Sequence, residues 1–195
     1  TRLRAGSGLQ LQHFEGLGTL PLFNPDLLEG EVPASVQAAC VALLARASGC
    51  QGMAGGQAID LASVGQRLSE DQLRQMHRLK TGALLQGSVM MGASCGSAPA
   101  AASDALSRYG AAMGLAFQVV DDILDVTADS ATLGKTAGKD AAQDKPTYVS
   151  LLGLDRSRAH AQELLDMALS ALAQSGLADT QALAALARMV VHREN

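Results

Sequence analysis

Tryptophan is absent from this sequence, and aromatic residues make up only 3% of its 195 residues. β-Branched residues seldom run together, whereas Ala, Leu, Gln and Arg recur throughout. That balance disfavours sheets and supplies the strongest helix formers, so the chain reads as all-α. Basic residues are not in excess: 15 Lys and Arg stand against 19 Asp and Glu, for a net charge of −4, and no basic stripe argues for nucleic acid. Cysteine is sparse as well. Cys40, Cys50 and Cys95 are odd in number and lack the spacing of a metal site, which points to reduced thiols. No apolar run reaches transmembrane length and no secretory leader is recognisable, so a soluble, cytoplasmic protein is expected. A nucleotide-hydrolysing enzyme is a poor fit, because there is neither a GxxxxGK[ST] loop nor strand–helix alternation.

What is present is enough apolar material, 48% of residues, for one domain with a real core. Residues 1–33 show no lasting periodicity and include the proline-broken stretch PLFNPDLLEGEVP. They are read as an irregular N-terminal segment, and residues 34–195 as the helical domain. From Ala34 a helix is expected with Ser35 as its cap and Val36, Cys40, Leu43 and Leu44 on one face. It is expected to run on, with irregularity, through the small residues of positions 49–56, with Gln57 and Asp60 on one side a turn apart. Ser69 should cap a further helix, with Glu70 and Asp71 in its favourable first turn and Leu73, Met76, Leu79, Leu84 and Leu85 towards the core. Within that helix Lys80–Thr81 is the odd spot, read either as a lysine reaching back to solvent or as a pair gripping phosphate oxygens. Another helix runs from about Ala100 into an acidic stretch, and two Ala/Leu helices, near 156–174 and 180–192, close the chain.

The acidic stretch is Gly114 to Val126, GLAFQVVDDILDV. Helical geometry sets Asp121 and Asp125 about 40° apart around the axis and one turn along it, with Gln118 near the same edge and Asp122 beside them. Carboxylates stacked in this way repel, and more so when desolvated. Their flanks are too apolar for a freely solvated face, so a compensating cation is expected. Oxygen-only ligands suit Mg²⁺, which is commonly held by one or two carboxylates plus substrate phosphates. The Gly/Thr/Asp/Lys-rich segment that follows, with Lys135, Lys139 and Lys145, reads as a loop able to fold over a polyanion. Acidic helix face, Mg²⁺, loop lysines and the Lys80–Thr81 pair together fit the gripping of a diphosphate as it leaves.

Four stretches, GMAGGQAIDL (52–61), HRLKTGALL (77–85), GLAFQVVDDILDVTAD (114–129) and TLGKTAGKDAAQDKPTY (132–148), stand in order. From about Ala34 onward the chain resembles the C-terminal half of a trans-isoprenyl diphosphate synthase of the bacterial farnesyl/geranylgeranyl type. The resemblance implies a single helical bundle of the isoprenoid synthase type around a central cavity, usually a homodimer. It implies head-to-tail condensation of isopentenyl diphosphate with an allylic diphosphate. Asp121, supported by Asp122 and Asp125, would ligate Mg²⁺ on the allylic diphosphate, and Lys80, Lys135 and Lys145 would contact that diphosphate. Thr81 and Gln118 match residues credited with stabilising the cation and guiding proton loss, and Gln57 and Asp60 match the polar pair lining the pocket. The family's earlier half carries a GKRxRP segment, a first DDxxD-type motif and an RRG, and Thr1–Pro33 contains no aspartate pair. The expectation is therefore a bundle without its N-terminal helices, with half a site, apolar faces uncovered and little turnover by this chain alone. The alternative is a non-catalytic helical subunit that binds a full-length synthase.

Overall fold

The computed structural model describes residues 32–96, 98–127 and 146–193. Among these the regular structure is helical throughout: α1 (Ala34–Ser48), α2 (Met53–Ala62), α3 (Glu70–His77), a π-helical segment (Arg78–Gly82), α4 (Ala83–Cys95), α5 (Ala100–Thr127), α6 (Tyr148–Leu152), α7 (Leu154–Ala173) and α8 (Gln181–Val191). The all-α expectation holds. No described helix is long and apolar enough to cross a membrane.

The 28-residue α5 is the central rod. It buries Ala102, Ala105, Ala112 and Ala116 among larger residues, and such small side chains let neighbouring helices approach. One core gathers Leu106, Tyr109 and Met113 with Leu165, Leu172 and Ala187 of α7 and α8. Tyr109 anchors it by donating its hydroxyl proton to the Leu183 carbonyl at 2.8 Å. The second core lies further along α5, where Ala116, Val119, Val120 and Ile123 meet Leu73, Met76, Tyr148 and Leu164.

Local capping signals set the starts of two helices. Ser69 begins α3 with a complete capping box, its side chain accepting from the Gln72 amide while Gln72 reaches back to the Ser69 amide. Thr147 and Ser150 do the same for α6, which Gly153 ends at φ +80°, a conformation that suits a residue without a Cβ. Two expectations need correction. Positions 49–52 form a turn rather than continuing α1. The reason is that the Gly49 and Gly52 backbones close against the last turn of α1, where an added Cβ at Gly52 would fall 2.1 Å from the Ala47 carbonyl oxygen. In addition, α1 starts at Pro33 without a side-chain cap from Ser35, and Leu44 lies 48% exposed beside the half-buried face of Val36, Cys40 and Leu43.

The helix from Ser69 is continuous to Cys95, but the π segment at 78–82 widens one turn and changes the phase of its faces. Leu73 and Met76 before it are 1% exposed, whereas Leu79, Leu84 and Leu85 are only half-buried. Both α5 and α2 pack on this widened turn through glycines. A Cβ on Gly114 would sit 2.5 Å from the Gly82 Cα, and one on Gly56 would sit 2.1 Å from the Lys80 amide nitrogen.

These contacts are backbone to side-chain-free backbone, so they have no soft direction in which to yield. Gly114→Ala is expected to destabilise the fold by about 1–3 kcal/mol through overpacking. Gly96→Ala, whose added Cβ would find its nearest neighbour at 3.6 Å, should change stability by less than about 0.5 kcal/mol. Urea unfolding of both variants checks the contrast.

Candidate active site

Three segments distant in sequence bring their polar residues to one cleft of about 310 Å³, lined by Asp60 of α2, His77, Lys80 and Thr81 around the π segment, and Phe117, Gln118, Asp121 and Asp122 of α5, with Pro146 and Thr147 at its edge. The π segment turns both Lys80 and Thr81, successive residues, towards this space, a placement for which such widened turns are often used.

Asp60 is 5% exposed and needs a partner, which Lys80 supplies through a contact of 2.8 Å between its ammonium and Oδ2. The Lys80 side chain retains 31% exposure, so the ammonium remains reachable from the cleft. Lys80 thus does not simply reach back to bulk water; it is held at the cleft by a buried carboxylate. Gln57, one turn ahead of Asp60, is half-buried and stands outside the cleft lining.

Thr81 donates to the Gln118 Oε1 at 3.0 Å, and the Gln118 amide in turn donates to Asp122 Oδ1 at 3.3 Å. Asp122 is 2% exposed, and its Oδ2 accepts the backbone N–H of Tyr148 at 2.8 Å. The carboxylate therefore ties the start of α6 to α5. His77 is stacked on Tyr148 with ring centroids 5.6 Å apart, and its Nε2 lies 3.8 Å from Asp122 Oδ2, too far for a hydrogen bond. Burial, with the Lys80 ammonium adding to it, pushes the His77 pKa down to about 4 despite the opposing Asp60 charge. The ring is neutral at pH 7.

Asp121 differs from its neighbour. Its side chain is 59% exposed at the cleft mouth, and one oxygen lies 3.5 Å from the Arg193 guanidinium. Arg193 also donates to the Phe117 carbonyl at 3.2 Å and covers the Phe117 ring at 4.2 Å from its centroid. Asp125 is half-buried one turn beyond Asp121 and outside the cleft lining. Lys135, Lys139 and Lys145 lie outside the described residues.

Of the candidates from sequence, Asp60, Lys80, Thr81, Gln118, Asp121 and Asp122 converge on the cleft. His77, Phe117 and Arg193 are additions, and Arg193 reaches Asp121 across 72 positions, for which local sequence carries no signal. No group of three or more His, Cys, Asp or Glu among the described residues could hold a metal ion by itself. Oxygen donors at a cleft mouth nevertheless fit Mg²⁺, which is usually bound by one or two carboxylates and completes its shell with waters and substrate phosphates.

The adjacent aspartates should separate in a stability measurement. Asp122→Ala strands the buried Tyr148 N–H and the Gln118 amide, and is expected to cost about 2–4 kcal/mol. Asp121→Ala removes an exposed carboxylate and should change stability by under about 1 kcal/mol. Chemical denaturation at pH 7 reads both; equal losses would contradict the distinction.

The polyprenyl synthetase family model matches residues 26–186. A probable farnesyl diphosphate synthase of Bradyrhizobium diazoefficiens is 46% identical over 180 residues, covering 90% of this chain and 51% of the relative. Among solved structures, a putative farnesyl-diphosphate synthase from Marinomonas sp. MED121 superposes with a TM-score of 0.70 at 36% identity, over 87% of this chain and 56% of the other. Geranyltransferase from Helicobacter pylori, complexed with magnesium and isoprenyl diphosphate, does so with a TM-score of 0.69 at 31% identity, over 85% and 54%. The chain thus spans about half the length of the relatives it matches. With the family model matched across most of the sequence and the isoprenyl synthase fold reproduced, the chain belongs to the polyprenyl synthetase family.

Proposed function

We propose that this chain provides the allylic-diphosphate half of a trans-prenyltransferase that condenses isopentenyl diphosphate with an allylic diphosphate. The observation that carries the reading is the convergence of a buried Asp60–Lys80 pair and the Thr81–Gln118–Asp122 hydrogen-bond chain on one cleft whose mouth is Asp121. A phosphate group at that mouth would meet the half-exposed Lys80 ammonium directly. Asp121 and Asp125 would hold Mg²⁺, with Asp122 supporting them by fixing α5 from behind. When bound, Mg²⁺ would supply positive charge to the diphosphate oxygens. Lys135 and Lys145 complete the proposed anion-binding set.

The chemistry asked of this half-site is cleavage of the bond between the allylic carbon and a diphosphate oxygen. Lys80 stabilises the negative charge that grows on the leaving oxygens, an effect that is strong where water is excluded and the donor is already oriented. Asp60 orients Lys80 and so removes the need to immobilise a flexible side chain at the moment of reaction. The oxygens of Thr81 and Gln118 face the other partner of the separating charge, the cation, and their mutual hydrogen bond holds them in place. Proton loss after condensation falls to acceptors near the departing diphosphate. The H. pylori structure, with magnesium and isoprenyl diphosphate together, supports this pairing of metal and ligand in a related fold.

A second reading has its own observation. Val41 and Leu61 of the first two helices and Met189 of α8 are 68%, 66% and 63% exposed. A non-catalytic helical partner of a full-length synthase would use such surfaces. Mixing the chain with a complete family member and finding both a complex and altered turnover favours it over the first reading.

The proposal is tested by calorimetric titration with a non-hydrolysable allylic diphosphate analogue. Binding is expected with Mg²⁺ and is expected to weaken at least about tenfold without it, equivalent to about 1.4 kcal/mol. Asp121→Ala should abolish the Mg²⁺ dependence while the fold melts normally. Lys80→Gln should weaken binding with the metal dependence retained. Absence of binding at millimolar analogue by a folded chain overturns the reading.

A further inference from the structure

A pair of thiols stands apart from the cleft. Cys40 on α1 and Cys95 at the end of α4 face each other with Sγ atoms 3.9 Å apart, although 55 residues separate them in sequence. We propose that Cys40 and Cys95 form a reversible intrachain disulfide that fastens α1 to α4 when a low-molecular-weight disulfide is in excess.

The geometry supports closure. A disulfide bond is about 2.05 Å long, so the sulfurs must approach by roughly 2 Å. Cys95 is the last residue of α4, exposed, and followed by a turn at Gly96, where helix ends yield most readily. Cys40 sits on the face of α1 that lies against α4, and its Sγ is also 4.0 Å from the Met91 carbonyl oxygen, one turn before Cys95. Further along the same interface, a Cβ on Gly87 would stand 3.0 Å from the Ala47 Cβ, so the two helices are already in close register. Cys50 is no competitor for Cys40. It lies beyond the end of α1, whose last residue, Ser48, is already about 12 Å from Cys40 at helical rise.

Closure also has something to secure. Ala47, 6% exposed, is the one buried residue of α1, and Val36, Cys40 and Leu43 on the same helix are only half-buried. This helix leads directly into α2, which carries Asp60 to Lys80. A covalent tie at Cys40 would restrict the motion of that unit relative to α4.

The reaction balances as ordinary exchange. The Cys95 thiolate attacks one sulfur of a disulfide such as oxidised glutathione, forming a mixed disulfide and releasing one thiolate. Cys40 then gives up its proton to solvent and attacks the Cys95 sulfur, releasing the second thiolate. Two electrons pass from the protein dithiol to the reagent, which leaves as two thiols. Burial and the adjacent Cys95 thiol raise the Cys40 pKa, so Cys40 suits the second, intramolecular step.

The test is oxidation of the 195-residue chain with oxidised glutathione, alkylation of remaining thiols, and mass spectrometry of a non-reduced digest. The expected product is a monomer that has lost two hydrogens, with a Cys40–Cys95 linked peptide and only Cys50 open to alkylation or glutathione. The link should persist in Cys50→Ser, disappear in Cys95→Ser, and reverse with dithiothreitol. The oxidised form should melt roughly 5–10 °C higher than the reduced one. Alkylation of Cys40 to the same extent before and after oxidation overturns the proposal, as does a predominance of bonds to Cys50 or between chains.

Discussion

The close approach of three backbones at the π segment is the constraint on which the cleft depends. Gly114 of α5 rests on Gly82, and Gly56 of α2 rests on the amide of Lys80. In each helix the polar residue that meets the π segment comes one turn after the contacting glycine. Asp60 follows Gly56 and reaches Lys80; Gln118 follows Gly114 and reaches Thr81. The glycines fix where the helices touch, and the helical repeat then delivers the next inward side chain to its partner. The placement of the polar groups is thus inherited from steric contacts that contain no polar side chain.

Around that contact the fold handles its buried acids in two ways. Asp60 is neutralised by an ammonium, which leaves a positive group at the cleft. Asp122 is held by N–H donors from Gln118 and Tyr148, which commits it to tying α6 to α5. Its neighbour Asp121, rotated about 100° around the same helix, projects outward towards Arg193. The lining of one cleft therefore carries both the Lys80 ammonium and the exposed Asp121 carboxylate. His77 fits the same pattern: it is buried beside this network and is neutral at pH 7, adding bulk to the support of Tyr148 without adding charge.

Much of the helical plan was legible because its signals are local. The Ser69 cap and the apolar periodicity of α5 each act within about a turn of where they stand. The break between α1 and α2 was not, since glycines are compatible with both a close-packed helix and a turn, and the choice lay in how the chain folds back on Ala47. The half-burial of Leu79, Leu84 and Leu85 was missed for a related reason. A uniform 3.6-residue period cannot anticipate a π turn, whose stability comes from the helices packed against it.

By itself the sequence determined the all-α class and most of the helical segments, and it singled out Asp60, Lys80, Thr81, Gln118 and the Asp121–Asp122–Asp125 motif as candidates. These follow from propensity, spacing and charge, which are properties of neighbouring residues. Tertiary structure decided that Lys80 pairs with Asp60, that Asp122 rather than Asp121 points inward, and that Arg193 closes over Phe117. Those outcomes depend on which surfaces meet across 20 to 76 positions of chain. Helix periodicity places a side chain on a face, but only the packing of another helix against that face makes it interior.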